Sequence, residues 1–141
     1  MGYSNPGCYS LIIHDDAYDD LDSIFNENED AAAALVVLLE LLETNQDLLD
    51  RLTQRKFVNY GTPHFNVDEW QETRKTKYNL WRIRELSSAE AGGYRIVYAY
   101  HPQEFKYYVL AILRREFVYD STNPRVARIF EIYDANNIPR Y

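Results

Sequence analysis

The chain has 141 residues, which fits one domain spanning 1–141 with a single modest core. Apolar residues make up 46% and charged residues 26%, as in a soluble globular protein, and no apolar run approaches the roughly 20 residues of a membrane span. The net charge of −7 argues against a nucleic-acid binder only as an average: residues 1–50 hold 12 Asp and Glu and no Lys or Arg, and residues 51–141 carry +5.

Such asymmetry points to a separate basic binding surface. The plainer alternative is a solvated acidic helix pair beside an ordinary sheet. Met1–Ser10 has neither the basic residues nor the hydrophobic stretch of a secretory signal, so a cytoplasmic location is expected. The single cysteine, Cys8, reads as a buried, inert thiol. No Cys/His cluster suggests a zinc site, so neither metal nor cofactor is expected.

In chain order, Tyr9–His14 is a short β-forming run and predicts a first strand. Asp15-Asp16 then starts a helix that puts Ala17, Leu21, Ile24 and Phe25 on one face. The acidic run Asp15, Asp16, Asp19, Asp20, Asp22 lacks the glycine and spacing of a calcium loop and reads as a solvated helix start. Asn26–Asp30 breaks the pattern. Asp30–Glu43 is a second helix, apolar enough to be buried on more than one side. Asn45–Arg55 continues helically, with Leu48, Leu49 and Leu52 inward.

Phe57–Lys77 shows no clear period and is punctuated by Gly61 and Pro63, the mark of a functional or mobile segment. From Tyr78 the period becomes two. Trp81-Arg82-Ile83-Arg84 alternates, Ser87–Gly93 is a turn-rich linker, and Tyr94–His101 is a strand. His101-Pro102-Gln103-Glu104 makes a hairpin turn, Lys106–Arg114 is the next strand, and Ser121–Glu131 is a short terminal helix with Pro124 in its first turn. The predicted class is α+β: an N-terminal strand and helices packed on an antiparallel β-sheet meander, with the other sheet face partly exposed.

Arg82 and Arg84 stand two apart on a strand, so both point to one face. Arg95 can join them, and Arg114 or Arg115 is expected to reach the same face, with Tyr119 just beyond. Arginine grips phosphate through planar bidentate contacts, and tyrosine can stack on a base or move a proton. The set suits a phosphodiester and metal-free RNA cleavage, in which the ribose 2′-hydroxyl is the nucleophile and fixed positive charge stabilises the phosphorane. Tyr119 can act as acid or base there only if arginines lower its pKa. The plainer reading pairs these arginines with the acidic helices or with Glu85 and Glu116. Arg74, Lys75 and Lys77 form a candidate phosphate-steering patch. His101, at the hairpin tip, is an RNA contact or an exposed turn histidine. His64 is a weaker candidate, His14 a packing or capping residue, and Asp120 a turn or cap residue.

The ordered segments Trp81-Arg82-Ile83-Arg84, Gly93-Tyr94-Arg95-Ile96-Val97-Tyr98, Leu110–Arg115 and Val118-Tyr119 resemble the RelE/ParE superfamily of toxins from type II toxin–antitoxin systems. The N-terminal third matches only in its strand-then-helices plan. The resemblance implies a ribosome-dependent mRNA endonuclease that inhibits translation, or alternatively a gyrase inhibitor without catalysis or a non-toxic interaction module on the same fold. It carries over Arg82 and Arg84 as the basic pair before the turn and Arg95 as the arginine of the Gly-Tyr-Arg motif. Arg114 or Arg115 matches the basic residue ending the next strand, and Tyr119 the tyrosine after it. It also implies partners: mRNA on the ribosome, and a cognate antitoxin in a hetero-oligomer, laid across the sheet and covering the arginines. Family toxins tend to be basic and shorter than this chain.

Overall fold

The computed structural model describes residues 8–53, 65–70, 73, 76–118, 120 and 122–140. The elements are β1 (Ser10–Ile13), α1 (Asp15–Glu27), α2 (Glu29–Glu43), α3 (Gln46–Asp50), β2 (Phe65–Glu69), β3 (Leu80–Glu85), β4 (Tyr94–His101), β5 (Lys106–Arg114), α4 (Arg115–Val118) and α5 (Pro124–Ala135). Side chains set the helix starts. His14 caps α1 by accepting from the Asp16 N–H at 3.0 Å. Asn28, Asn45 and Asn123 do the same for α2, α3 and α5. Pro124 supplies a first helical residue that has no N–H to leave unpaired.

The five strands form one sheet in the order β1-β5-β4-β3-β2. The α+β class and the antiparallel β3-β4-β5 meander match the sequence reading. Two strands extend it. β1 pairs parallel with β5, and β2 lies antiparallel to β3 inside the stretch that the sequence leaves unclassified. In β2, Phe65 and Val67 are fully buried and alternate with Asn66 and Asp68. Five residues with three polar members are too short to announce a period.

Both sheet faces carry helices, and the second stays partly exposed, as the sequence predicts. Helices α1–α3 cover one face, burying Ile83, Ile96, Tyr98, Val109 and Ile112 with the leucines of α2 and α3. Helix α5 covers part of the other, where Val126, Ile129 and Tyr133 meet Val97, Leu110, Ala111 and Leu113. Tyr133 ties α5 to the sheet by accepting from the Asn79 N–H at 3.0 Å. The acidic run is not merely a solvated helix start either. Asp16 and Asp20 pair with Arg125 and Arg128 of α5. Cys8 is exposed rather than buried, because it precedes β1 and lies outside the core.

One buried hydrogen bond ties the turn after the third helix to the sheet. The Tyr98 hydroxyl, with no exposed surface, donates to the Leu52 carbonyl, and burial pushes its pKa well above the usual phenol value. Tyr98→Phe leaves that carbonyl without its donor. It is expected to lower unfolding stability by about 1–2 kcal/mol, read as a fall in the urea midpoint at unchanged slope.

Candidate nucleic-acid interface

Strand register builds a cationic cleft on the face that α5 covers only in part. Asn66 stands opposite Arg84, and Asp68 opposite Arg82. The β3–β4 register that pairs Arg82 with Val97 and Ile83 with Ile96 carries Arg84 alongside Arg95 one position further on. Because side chains alternate, Phe65, Val67, Trp81 and Ile83 go to the α1–α3 side while Asn66, Asp68, Arg82, Arg84 and Arg95 share the other. Those five residues line a cavity of about 120 Å³.

The three arginines differ. Arg84 is exposed and makes no ion pair with a described residue. Arg82 is half-buried beside Asp68. Arg95 is buried, and its Nη1 donates to the carbonyls of Gly92 and Tyr94, each at 2.9 Å. Arg95 therefore holds the turn before β4 as well as lining the cleft. Among the described residues that line the cavity, three guanidiniums face one carboxylate. Guanidiniums are donors only, whereas Asn66 Oδ1 is an acceptor, buried and without a hydrogen-bond partner.

Arg114 does not join them. Tyr98 pairs with Val109, but Val97 pairs with Ala111, so Leu110 is an extra, bulged residue. A bulge inverts the facing of every later residue on its strand. It sends Arg114 to the α1 side, opposite Tyr94. There Arg114 pairs with Glu27 at 3.2 Å, and the Tyr94 hydroxyl donates to the same carboxylate at 2.6 Å. The hydrogen bonds from Tyr94 and Arg114 hold the Glu27 carboxyl below its ordinary range. Arg115 opens α4, exposed, and does not line the cavity.

His101 is buried rather than an exposed tip. It lies six residues from Arg95 along β4, about 20 Å at strand rise, with Nε2 3.8 Å from Glu104. Lys77 is exposed and precedes β3, at the end of that strand away from Arg84. Arg74, Lys75, His64 and Tyr119 lie outside the described residues. Asp120 acts as a turn residue, accepting from the Thr122 N–H and hydroxyl. Every described tyrosine with a displaced pKa is pushed up: Tyr9 goes to about 12 through its bond to Asp50, and burial lifts Tyr78, Tyr94, Tyr98, Tyr100, Tyr107 and Tyr108. None of these is prepared to lose a proton at neutral pH.

Asn66 and Asp68 are the cleft residues that sequence reasoning missed. Their signal was the brief alternation Phe65-Asn66-Val67-Asp68.

A comparison with solved structures finds a similar chain. It belongs to the archaeal RelE–RelB complex from Pyrococcus horikoshii OT3 and aligns with a TM-score of 0.42 and 18% identity over 76% of this chain and 94% of that one. No family model and no curated protein matches the sequence. Among the described residues, no helix is long and apolar enough to cross a membrane.

Proposed function

We propose that this chain is the toxin of a type II toxin–antitoxin pair, acting in the cytoplasm as a ribosome-dependent mRNA endonuclease. The observation that carries the reading is the cleft in which Arg82, Arg84 and Arg95 converge from two strands on one cavity. Planar guanidinium forks suit phosphate, and Arg84, exposed at the cavity, is the cation best placed to meet one. The resemblance of the Trp81–Arg84 and Gly93–Tyr98 segments to RelE/ParE toxins supports RNA as that ligand.

In the reaction, the ribose 2′-oxygen attacks the adjacent phosphorus and the 5′-oxygen leaves. The 2′-hydroxyl proton goes to a base, and an acid protonates the leaving oxygen. Arg82 and Arg84 stabilise the negative charge that builds on the phosphorane oxygens. Tyr119 is the proposed acid or base. Arg114 and Arg115 are not proposed as phosphate contacts, since the bulge and α4 carry them elsewhere. A cognate antitoxin would neutralise the toxin by covering the cleft.

Induced expression of the chain alone in a bacterial host tests this. The expected outcome is rapid translation arrest with mRNA cut inside codons, mapped by primer extension. Filamentation with a DNA-damage response would instead indicate gyrase as target, and normal growth a non-toxic module.

A further inference from the structure

We infer that the groove between α1 and α2, on the sheet face opposite the arginine cleft, docks a cationic amphipathic helix of a partner protein. Nothing in this docking depends on what the cleft binds.

The groove has an apolar floor. Leu21 of α1 and Leu39 of α2 are buried at its base, and Tyr18 and Val36 form its walls, around a cavity of about 180 Å³. Tyr18 is 51% exposed, and Val37, next to Val36, is 64% exposed. Phe25, seven residues on from Tyr18 and also exposed, extends the apolar strip along α1. On α2, Ala31–Leu39 holds no charged side chain, yet Ala33 and Val37 face solvent. A helix with one side in water ordinarily carries polar residues there.

The rim is acidic throughout. Asp15 and Asp22 lie three residues before and four after Tyr18, so they share its face of α1. Glu40 and Glu43 line the groove from α2. All four are exposed, and none makes an ion pair with a described residue. Residues 1–50 contain no Lys or Arg to offset them. Asp16 and Asp20 differ, since they turn to the other side of α1 and pair with Arg125 and Arg128.

That charge pattern decides the occupant. A nucleic acid or an anionic membrane would meet four unpaired carboxylates, and membrane-surface helices carry Lys and Arg on their polar face, the reverse of this one. A second copy in a twofold contact would set its own carboxylates against these. A helix whose apolar stripe is flanked by Lys or Arg satisfies both features. Its stripe covers Tyr18, Val36 and Val37 while its cations reach Glu40 and Glu43. The groove has the length for it: Val36 to Glu43 spans about 10 Å at helical rise, two turns of a partner helix. Because α1–α3 and the arginines lie on opposite sides of the sheet, the docked helix leaves the cleft open.

The test titrates the full chain, by fluorescence anisotropy, into three labelled peptides about 16 residues long. One places Leu every three or four residues between lysines. The second has Glu in place of every Lys, and the third is the first in scrambled order. The ordered lysine peptide is expected to bind at least about tenfold more tightly than either of the others. Glu40→Lys combined with Glu43→Lys, both at exposed positions, should invert the preference between the lysine and glutamate peptides. Tyr18→Ala should weaken the lysine peptide about fivefold or more. Amide shift changes on titration should fall on α1 and α2 and spare β2 and β3. Equal binding of the ordered and scrambled lysine peptides, or no saturable binding, overturns the inference without any variant having to fold. A lysine preference that persists in the folded charge-reversed variant overturns it too. Sedimentation equilibrium showing a dimer that Val37→Glu dissolves would give the groove to a second copy instead, and binding to phosphatidylserine vesicles that Val37→Glu abolishes would give it to a membrane.

Discussion

Replacing Arg82 and Arg84 together with alanine is expected to abolish growth arrest on induced expression while leaving the protein folded. Each guanidinium can give a phosphate a charge-assisted hydrogen bond of about 1.5–3 kcal/mol. Losing both therefore predicts a fall in RNA affinity on the order of a hundredfold or more. The salt dependence should change with it. Two lost phosphate contacts on a single strand reduce the slope of log affinity against log salt by about 1.4. Arg84 is exposed, so its share of any stability change should stay within roughly 0.5 kcal/mol, whereas half-buried Arg82 also loses its own contacts. Anisotropy titrations at several salt concentrations, with circular dichroism melting, read all three quantities. A folded double variant that still arrests growth would remove the cleft from the mechanism. Arg95→Ala is a poorer probe. Its Nη1 bonds to the Gly92 and Tyr94 carbonyls, so lost binding there would be confounded with a loosened turn. Arg114→Ala is a useful control. It should leave RNA binding unchanged, since Arg114 reaches Glu27 on the opposite side of the sheet.

That contrast between Arg84 and Arg114 marks the limit of what the sequence reveals. Strand alternation alone puts Arg82, Arg84 and Arg95 on one face, because a period of two is a property of the backbone and survives any tertiary context. The same rule fails for Arg114 because one extra residue, Leu110, sits in the ladder, and no side chain near it announces a bulge. The proline and the turn residues fix the β4–β5 hairpin, and the apolar stripe fixes α2. Their signals are local. Strand β2 is recognisable only from its partner, since Phe65 and Val67 become core residues by lying against Ile83 and Glu85 of β3. Helix α5 is legible as a helix, but its position over the second face is not. That position depends on Asp16 and Asp20, more than a hundred residues away in sequence from Arg125 and Arg128. Charge composition pointed to an acidic N-terminal part and a basic remainder. Part of that division turns out to be internal pairing between α1 and α5.

Asp20→Ala is expected to cost about 1–3 kcal/mol, chiefly by leaving a backbone N–H of β5 without its acceptor. The Asp20 side chain is 13% exposed and accepts three hydrogen bonds. Arg125 Nη2 donates at 2.6 Å, Arg125 Nε at 3.2 Å and the Ile112 N–H at 2.9 Å. The last of these has a topological cause. Strand β1 pairs with β5 only as far as Val109, so among the described residues no strand lies beside the edge of β5 beyond it, and Asp20 of α1 takes that place. Alanine strands the Ile112 N–H and leaves Arg125 with its 3.4 Å pair to Asp16. Asp20→Asn keeps an acceptor for the N–H and should cost less. Burial raises the Asp20 carboxyl above its ordinary value, and the bonds from Arg125 and Ile112 only partly offset this. A carboxyl raised in the folded state contributes stability that is fully present below its unfolded pKa and is lost as pH rises through the folded one. Asp16 and Glu27 run the other way. For Asp16, burial is outweighed by Arg128 and Arg125; for Glu27, the bonds from Tyr94 and Arg114 prevail. Both carboxyls are lowered, so their contributions fade as pH falls. Asparagine does not titrate, so the stability gap between the parent protein and Asp20→Asn should be widest near pH 3 and narrow towards about pH 7. Urea unfolding across that range measures the gap directly. A gap that widens towards neutral pH would mean that the Arg125 pair, rather than burial, governs Asp20.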